Sequence, residues 1–247
     1  MGMWQSKYIP IPTHEHALRA TLRILEQHTR ALIVGRPGLG KTTLATELTR
    51  RLSAPNCVVA LARGGDPPMQ QIASLARALG AHGSVREIPA AWEVFAKAVR
   101  VCMLQEQRVV LAIDDADKAQ DLSQLQDLVD RLDPHQRHIR LVLTARRALP
   151  VTFAGRRQDA TDLCVRLSPL TRSEAVTLVD GIHALQPSQP PPPTRAEITR
   201  VHALRRGVPG RILREFSRGF ASSPGLGHLG QPPPPAPETR NTAPHAA

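Results

Sequence analysis

The segment Gly35-Arg36-Pro37-Gly38-Leu39-Gly40-Lys41-Thr42 constrains this chain more than any other. It is a complete G-x-x-x-x-G-K-T phosphate-binding loop. The apolar run 31–34 before it reads as a short buried strand, and Thr43–Leu52 after it reads as a helix. That strand–loop–helix context is what the motif needs. Glycines let successive N–H groups turn toward the same anion, and the helix N-terminus adds partial positive charge. Lys41 is placed to reach β- and γ-phosphates, and the Thr42 hydroxyl to hold Mg²⁺. Gly35, Pro37, Gly38, Gly40, Lys41, Thr42 and Thr43 form the expected phosphate-binding set.

Strand-like runs at 31–34, 57–62, 108–113, 139–144 and 163–167 alternate with helix-like stretches. The helices fall near 41–53, 67–80, 90–105, 121–132 and 148–156. This alternation predicts an α/β fold, a parallel five-stranded sheet sandwiched by helices. The strand runs are continuously apolar, as for strands covered on both faces. Beyond about residue 170 the strands stop. Segments 171–185, 194–206 and 209–220 all read as helices, and Thr194 to Glu197 has capping-box spacing. The expected organisation is a core over 1–170, a helical lid over 171–221, and a disordered Pro-rich tail over 222–247. Pro187–Pro193 is a connector within the lid, and Pro232–Pro235 reads as solvated tail rather than a polyproline ligand.

A second segment completes the site. Val109–Ile113 is an apolar run that ends in Asp114-Asp115. A buried strand of this kind delivers a carboxylate to the C-terminal edge of the sheet, where ligands sit in open α/β folds. Asp114 is placed to hold Mg²⁺ opposite Thr42, and Asp115 to orient the attacking water. The competing reading is an ordinary acidic turn. The strand at 140–144 ends in Thr144 and is followed by Ala145-Arg146-Arg147. If it neighbours the Asp114 strand, Thr144 reaches the γ-phosphate region and Arg146 contacts phosphate.

Taken in order, these segments resemble the AAA+/STAND branch of P-loop ATPases, especially ExeA/GspA-like and transposition-type ATPases. The resemblance rests on the loop, the hhhhDD strand, Leu-Val-Leu-Thr-Ala-Arg, and Leu167-Ser168-Pro169-Leu170 running on to Glu174-Ala175. It ends with Gly207-Val208-Pro209-Gly210-Arg211. It covers about residues 12–220 and implies ATP and Mg²⁺ as ligands, with the terminal helices as a lid. It also implies that Thr144 matches a sensor position and Arg211 a second one, displaced by one because Gly210 stands where an arginine is usual. Arg156 or Arg157 falls near an arginine-finger position, which implies a homo-oligomer. Asp115 replaces the usual glutamate and is one methylene shorter. This points to slow hydrolysis, or to a non-hydrolysing nucleotide-bound interaction module. A small-molecule kinase would need its lid inserted before the last strand, and here the helices follow that strand.

The net charge of +11 is unevenly placed. Residues 1–133 carry 16 Lys+Arg against 14 Asp+Glu, and residues 134–247 carry 16 against 7. Arg211, Arg214 and Arg218 repeat on one helical face, suited to nucleotide phosphates, DNA backbone or an acidic protein partner. The alternative is a solvated face. Aromatic residues make up only 3% of the chain, which argues against single-strand stacking. His14 and His16, like His135 and His138, lack further metal ligands and read as solvated. No apolar run reaches the roughly 20 residues of a membrane span. Cys57, Cys102 and Cys164 read as buried thiols, and a cytoplasmic location is expected.

Overall fold

A computed structural model describes residues 8–82, 87–149, 152–153, 156–157, 163–185 and 192–217. Five parallel strands lie in the spatial order β2-β3-β4-β1-β7. They are β1 (Arg30–Val34), β2 (Cys57–Arg63), β3 (Arg108–Asp114), β4 (Ile139–Ala145) and β7 (Cys164–Arg166). Helices α1 (Pro12–Gln27), α2 (Lys41–Leu52), α3 (Pro68–Ala78), α4 (Ile88–Leu104) and α5 (Leu122–Leu132) flank the sheet. The expected sheet and its crossovers are present.

Alternation along each strand sorts the side chains into two cores. Leu32, Leu111, Ile113, Leu141 and Leu143 face α3, α4 and α5, where Phe95 is fully buried. Ile33, Val110, Ala112, Val142 and Val165 face the other way, onto Leu18 and Leu25 of α1 and Leu44 and Leu48 of α2. Both faces are apolar, which is why the strands read as unbroken runs.

One sequence expectation fails, and one helix was not expected. No helix spans 148–156; β5 (Thr152–Phe153) and β6 (Arg156–Arg157) pair antiparallel instead. Pro150 biases its predecessor away from helix, and Val151-Thr152-Phe153 favours extended backbone. Helix α1 was not foreseen. Its Pro12 sits in the first turn, and Ala17, Leu18, Thr21 and Leu25 form its buried stripe. The thiols differ in degree: Cys102 is buried, while Cys57 and Cys164 are half-buried.

Helices α6 (Arg172–Ala184), α7 (Arg195–Arg205) and α8 (Pro209–Ser217) follow β7 and pack on one another through Ala175, Val179, Ile198, Val201 and Ile212. Thr171 with Glu174 and Thr194 with Glu197 both form complete capping boxes. The segment before α1 attaches to this trio: Ile9 and Ile11 pack with Leu170, Leu178 and Ile182. The proposed tail at 222–247 lies outside the described residues.

A charged chain ties that segment to α2. Tyr8 donates to Glu15, Arg51 pairs with both Glu15 and Glu47, and Arg50 pairs with Glu47. The Arg50 guanidinium, aided by Arg51, outweighs burial and holds the Glu47 carboxyl down at about 2. Because the folded pKa lies below the unfolded one, the stabilisation is complete above the ordinary glutamate value and is lost as pH falls toward 2. Glu47→Gln is therefore expected to flatten the loss of stability between about pH 4.5 and pH 2. Urea titrations of both proteins across that range check it; parallel curves would contradict it.

Candidate nucleotide site

The loop at 35–42 leaves β1 at the C-terminal edge of the sheet and enters α2. Gly38 and Gly40 take φ of 86° and 92°, left-handed values that a Cβ resists. Gly40 stands before the first residue of α2 with no side-chain cap, so that helix's first N–H groups are left for another acceptor. Lys41 is buried, and its ammonium donates to the Gly35 carbonyl at 3.0 Å. Arg36, Pro37 and Gly38 are exposed, as are Thr42 and Thr43.

Strand β4 lies between β1 and β3, with Ile33 opposite Thr144 and Ile113 opposite Leu143. The condition set for Thr144 is thus met. Its hydroxyl donates to Asp114 Oδ1 at 2.5 Å and accepts the Asp115 N–H at 3.0 Å. The Thr42 hydroxyl donates to the other oxygen, Asp114 Oδ2, at 2.6 Å. Thr42, Asp114 and Thr144 come together as a hydroxyl–carboxylate–hydroxyl row beside Lys41.

Asp115 is a non-glycine residue held left-handed at φ 53° and ψ 44°. Its carbonyl oxygen would lie 2.3 Å from a Cβ on Gly64, so Gly64 makes this turn feasible. The Gly64-Gly65 pair was the sequence signal for that approach, and it went unread. Burial would raise the Asp115 carboxyl. The Lys118 ammonium hydrogen-bonded to it at 2.6 Å, with Lys41 and Arg146 adding to it, holds it below the usual range. Arg146 is exposed. Its N–H donates to Asp117, and its guanidinium lies 3.8 Å from the same carboxylate.

His14 corrects the sequence reading. It is not solvated but buried under the loop, with Nε2 3.0 Å from the Leu39 carbonyl oxygen. A histidine at the start of a helix carries no sequence mark of this role; only the packing of α1 on the loop reveals it. His16 is exposed. Glu174 is the second residue whose part was hidden. Beyond capping α6 it accepts the Thr13 N–H at 2.6 Å, so one carboxylate serves the starts of both α1 and α6.

A profile of the AAA domain family matches residues 24–163, more than half the chain. The chain belongs to the AAA domain family. This AAA domain overlays the Walker-type ATPase of Pyrococcus abyssi with a TM-score of 0.59 at 16% identity, over 84% of this chain and 68% of that one. The Aeropyrum pernix ORC1 protein, solved in complex with DNA, gives 0.57 at 18%, over 85% and 60%. Cdc6p from Pyrobaculum aerophilum gives 0.51 at 20%, over 73% and 52%. At these identities the likeness shows the fold, and the chain spans between half and about two thirds of the length of these structures. Comparison with curated proteins returns no match.

The AAA domain carries a backbone bond between its terminal helices and its phosphate loop: Gly210 N–H donates to the Gly38 carbonyl at 2.8 Å. A Cβ on Gly210 would lie 3.1 Å from Gly38 Cα and from its oxygen. A side chain at this position would press on the loop backbone. Arg211 is exposed one residue further on. Among the arginines of the terminal helices, Arg205 pairs with Glu215 at 2.6 Å, while Arg211 and Arg214 are exposed. Arg218 and the side chains of Arg156 and Arg157 lie outside the described residues.

Gly40 and Gly80 share almost the same φ, 92° and 85°, yet a Cβ on Gly40 would meet His14 Cε1 at 2.7 Å, whereas one on Gly80 meets nothing within 4 Å. Gly80→Ala reports the backbone penalty alone, on the order of 1 kcal/mol. Gly40→Ala is expected to cost about 1–3 kcal/mol more through the ring contact. Equal losses in urea unfolding would show that the loop does not rest on His14.

Proposed function

We propose that this chain binds ATP with Mg²⁺ at the 35–42 loop, hydrolyses it slowly, and uses the nucleotide state to set the position of helices α6–α8. The observation that carries this reading is the Asp114 carboxylate shared between the Thr42 and Thr144 hydroxyls beside Lys41. A hydroxyl and a carboxylate brought to 2.6 Å form a hard oxygen donor set, which suits Mg²⁺ beside phosphate oxygens. Thr42 and Asp114 would hold the ion, which would supply charge neutralisation on the phosphates. Gly35, Pro37, Gly38, Gly40, Lys41, Thr42 and Thr43 bind and orient the phosphate chain. Thr144 fixes the Asp114 carboxylate and, through the Asp115 N–H, the turn that carries the second acid.

Asp115 is proposed to orient the attacking water, with Arg146 near the phosphates. A short acid tied to Lys118 accepts a proton poorly, which supports a low rate. The same pairing favours a second reading, a nucleotide-loaded interaction module that does not turn over. Residues 1–170 would act as the core and 171–221 as the lid. Arg211 would face nucleotide phosphates or a partner.

For the partner we propose DNA backbone or an acidic protein surface, met by Arg211 and Arg214. Support comes from their exposure and from a structural neighbour solved on DNA. Self-assembly and a cytoplasmic location are part of the same proposal. Among the described residues no helix is long and apolar enough to cross a membrane.

Lys41→Ala is expected to abolish ATP binding in a calorimetric titration, and unchanged affinity would refute the reading. Asp115→Asn is expected to retain ATP binding while phosphate release drops at least tenfold, a loss on the general acid–base scale. A wild type that binds ATP but releases no phosphate, with or without DNA, would select the non-hydrolysing reading. Duplex DNA is expected to raise the rate, and the gain should vanish as salt rises, because phosphate contacts release counterions. A rate indifferent to DNA would direct the basic face to a protein.

A further inference from the structure

His14 is 5% exposed, packed beneath the loop, and has no part in the reading above. Its Nε2 lies 3.0 Å from the Leu39 carbonyl oxygen. A carbonyl only accepts, so the ring carries a proton on Nε2 and donates it. Burial keeps the imidazole below its ordinary pKa, which favours the neutral ring.

A trans peptide is planar, with its C=O and N–H on opposite edges. Anchoring the Leu39 oxygen on His14 therefore turns the Gly40 N–H away from the ring. The preceding carbonyl, that of Gly38, accepts the Gly210 N–H of α8 at 2.8 Å. Two successive loop carbonyls are thus held by donors from outside the loop, one from α1 and one from α8. Carbonyl oxygens held this way do not compete with phosphate oxygens for the concave face. The ring also forms a floor under Gly40, where no Cβ fits.

We infer that His14 is a positioning residue for phosphate binding: by holding the Leu39–Gly40 peptide it aims the Gly40 N–H at the nucleotide's phosphate chain. This rests on the ATP-binding reading. Glu174 extends the device. Its carboxylate accepts the Thr13 N–H while capping α6, so the placement of His14 is referred to the start of the terminal helices.

The test compares His14→Leu, which fills the space without a donor, with His14→Gln, whose amide nitrogen replaces Nε2. Binding of MgATP and of adenosine, which has no phosphate, is measured for each, beside wild type and Lys41→Ala. His14→Leu is expected to weaken MgATP about tenfold, the scale of one net hydrogen bond, and to leave adenosine unchanged. His14→Gln is expected to restore most of the MgATP affinity. Wild-type MgATP affinity in His14→Leu overturns the inference. So does equal weakening of both ligands, which would mark a packing role, or a glutamine variant no better than the leucine one. A wild type that binds no MgATP overturns the ATP reading and this inference together. Failure of the inference alone leaves wild type binding and Lys41→Ala impaired.

Discussion

The site depends on how one carboxylate divides its two oxygens. Asp114 receives Thr42 on one and Thr144 on the other. Those hydroxyls come from the helix after β1 and from the end of β4, so the contact holds three segments that are far apart in sequence. It is available only because β4 lies between the loop strand and the acid strand. Had β1 and β3 been neighbours, Thr144 would have no place between them. A buried carboxylate needs donors, and here the sheet order supplies them.

A second constraint works from outside the sheet. The loop's left-handed glycines leave little room around them, and the terminal helices use it. Gly210 meets Gly38 backbone to backbone, Val208 packs beside it, and His14 fills the space under Gly40. Glu174 joins the starts of α1 and α6 with one side chain. The Leu-x-Pro-Leu-x-x-x-Glu-Ala segment thereby gains a physical meaning. Leu170 enters the small core with Ile11, and Glu174 binds both helix starts.

Asp115 is the most constrained residue of the acid turn. A left-handed non-glycine residue is costly, and such strain gathers at functional positions. Here it is held by the Thr144 hydroxyl and made feasible by Gly64. The side chain, however, is engaged with Lys118. Under the proposed function, the short acid and its partner would act in the same direction, toward slow turnover.

Much of this was legible in the residues. Unbroken apolar runs showed strands covered on both faces. The G-x-x-x-x-G-K-T spacing fixed a strand, a turn and a helix together, because only glycines tolerate that turn and only a helix start leaves N–H groups free. Asp114 was legible because an apolar run ending in acid has one sensible place in an α/β sheet. Local pattern determined these features by itself. Tertiary structure alone decided the rest. It buried His14 rather than leaving it solvated, replaced a helix at 148–156 with two short strands, gave Glu174 a second helix to cap, and matched Gly210 to Gly38. Each of these is set by the distance between segments remote in sequence, and periodicity along a chain carries no record of such distances.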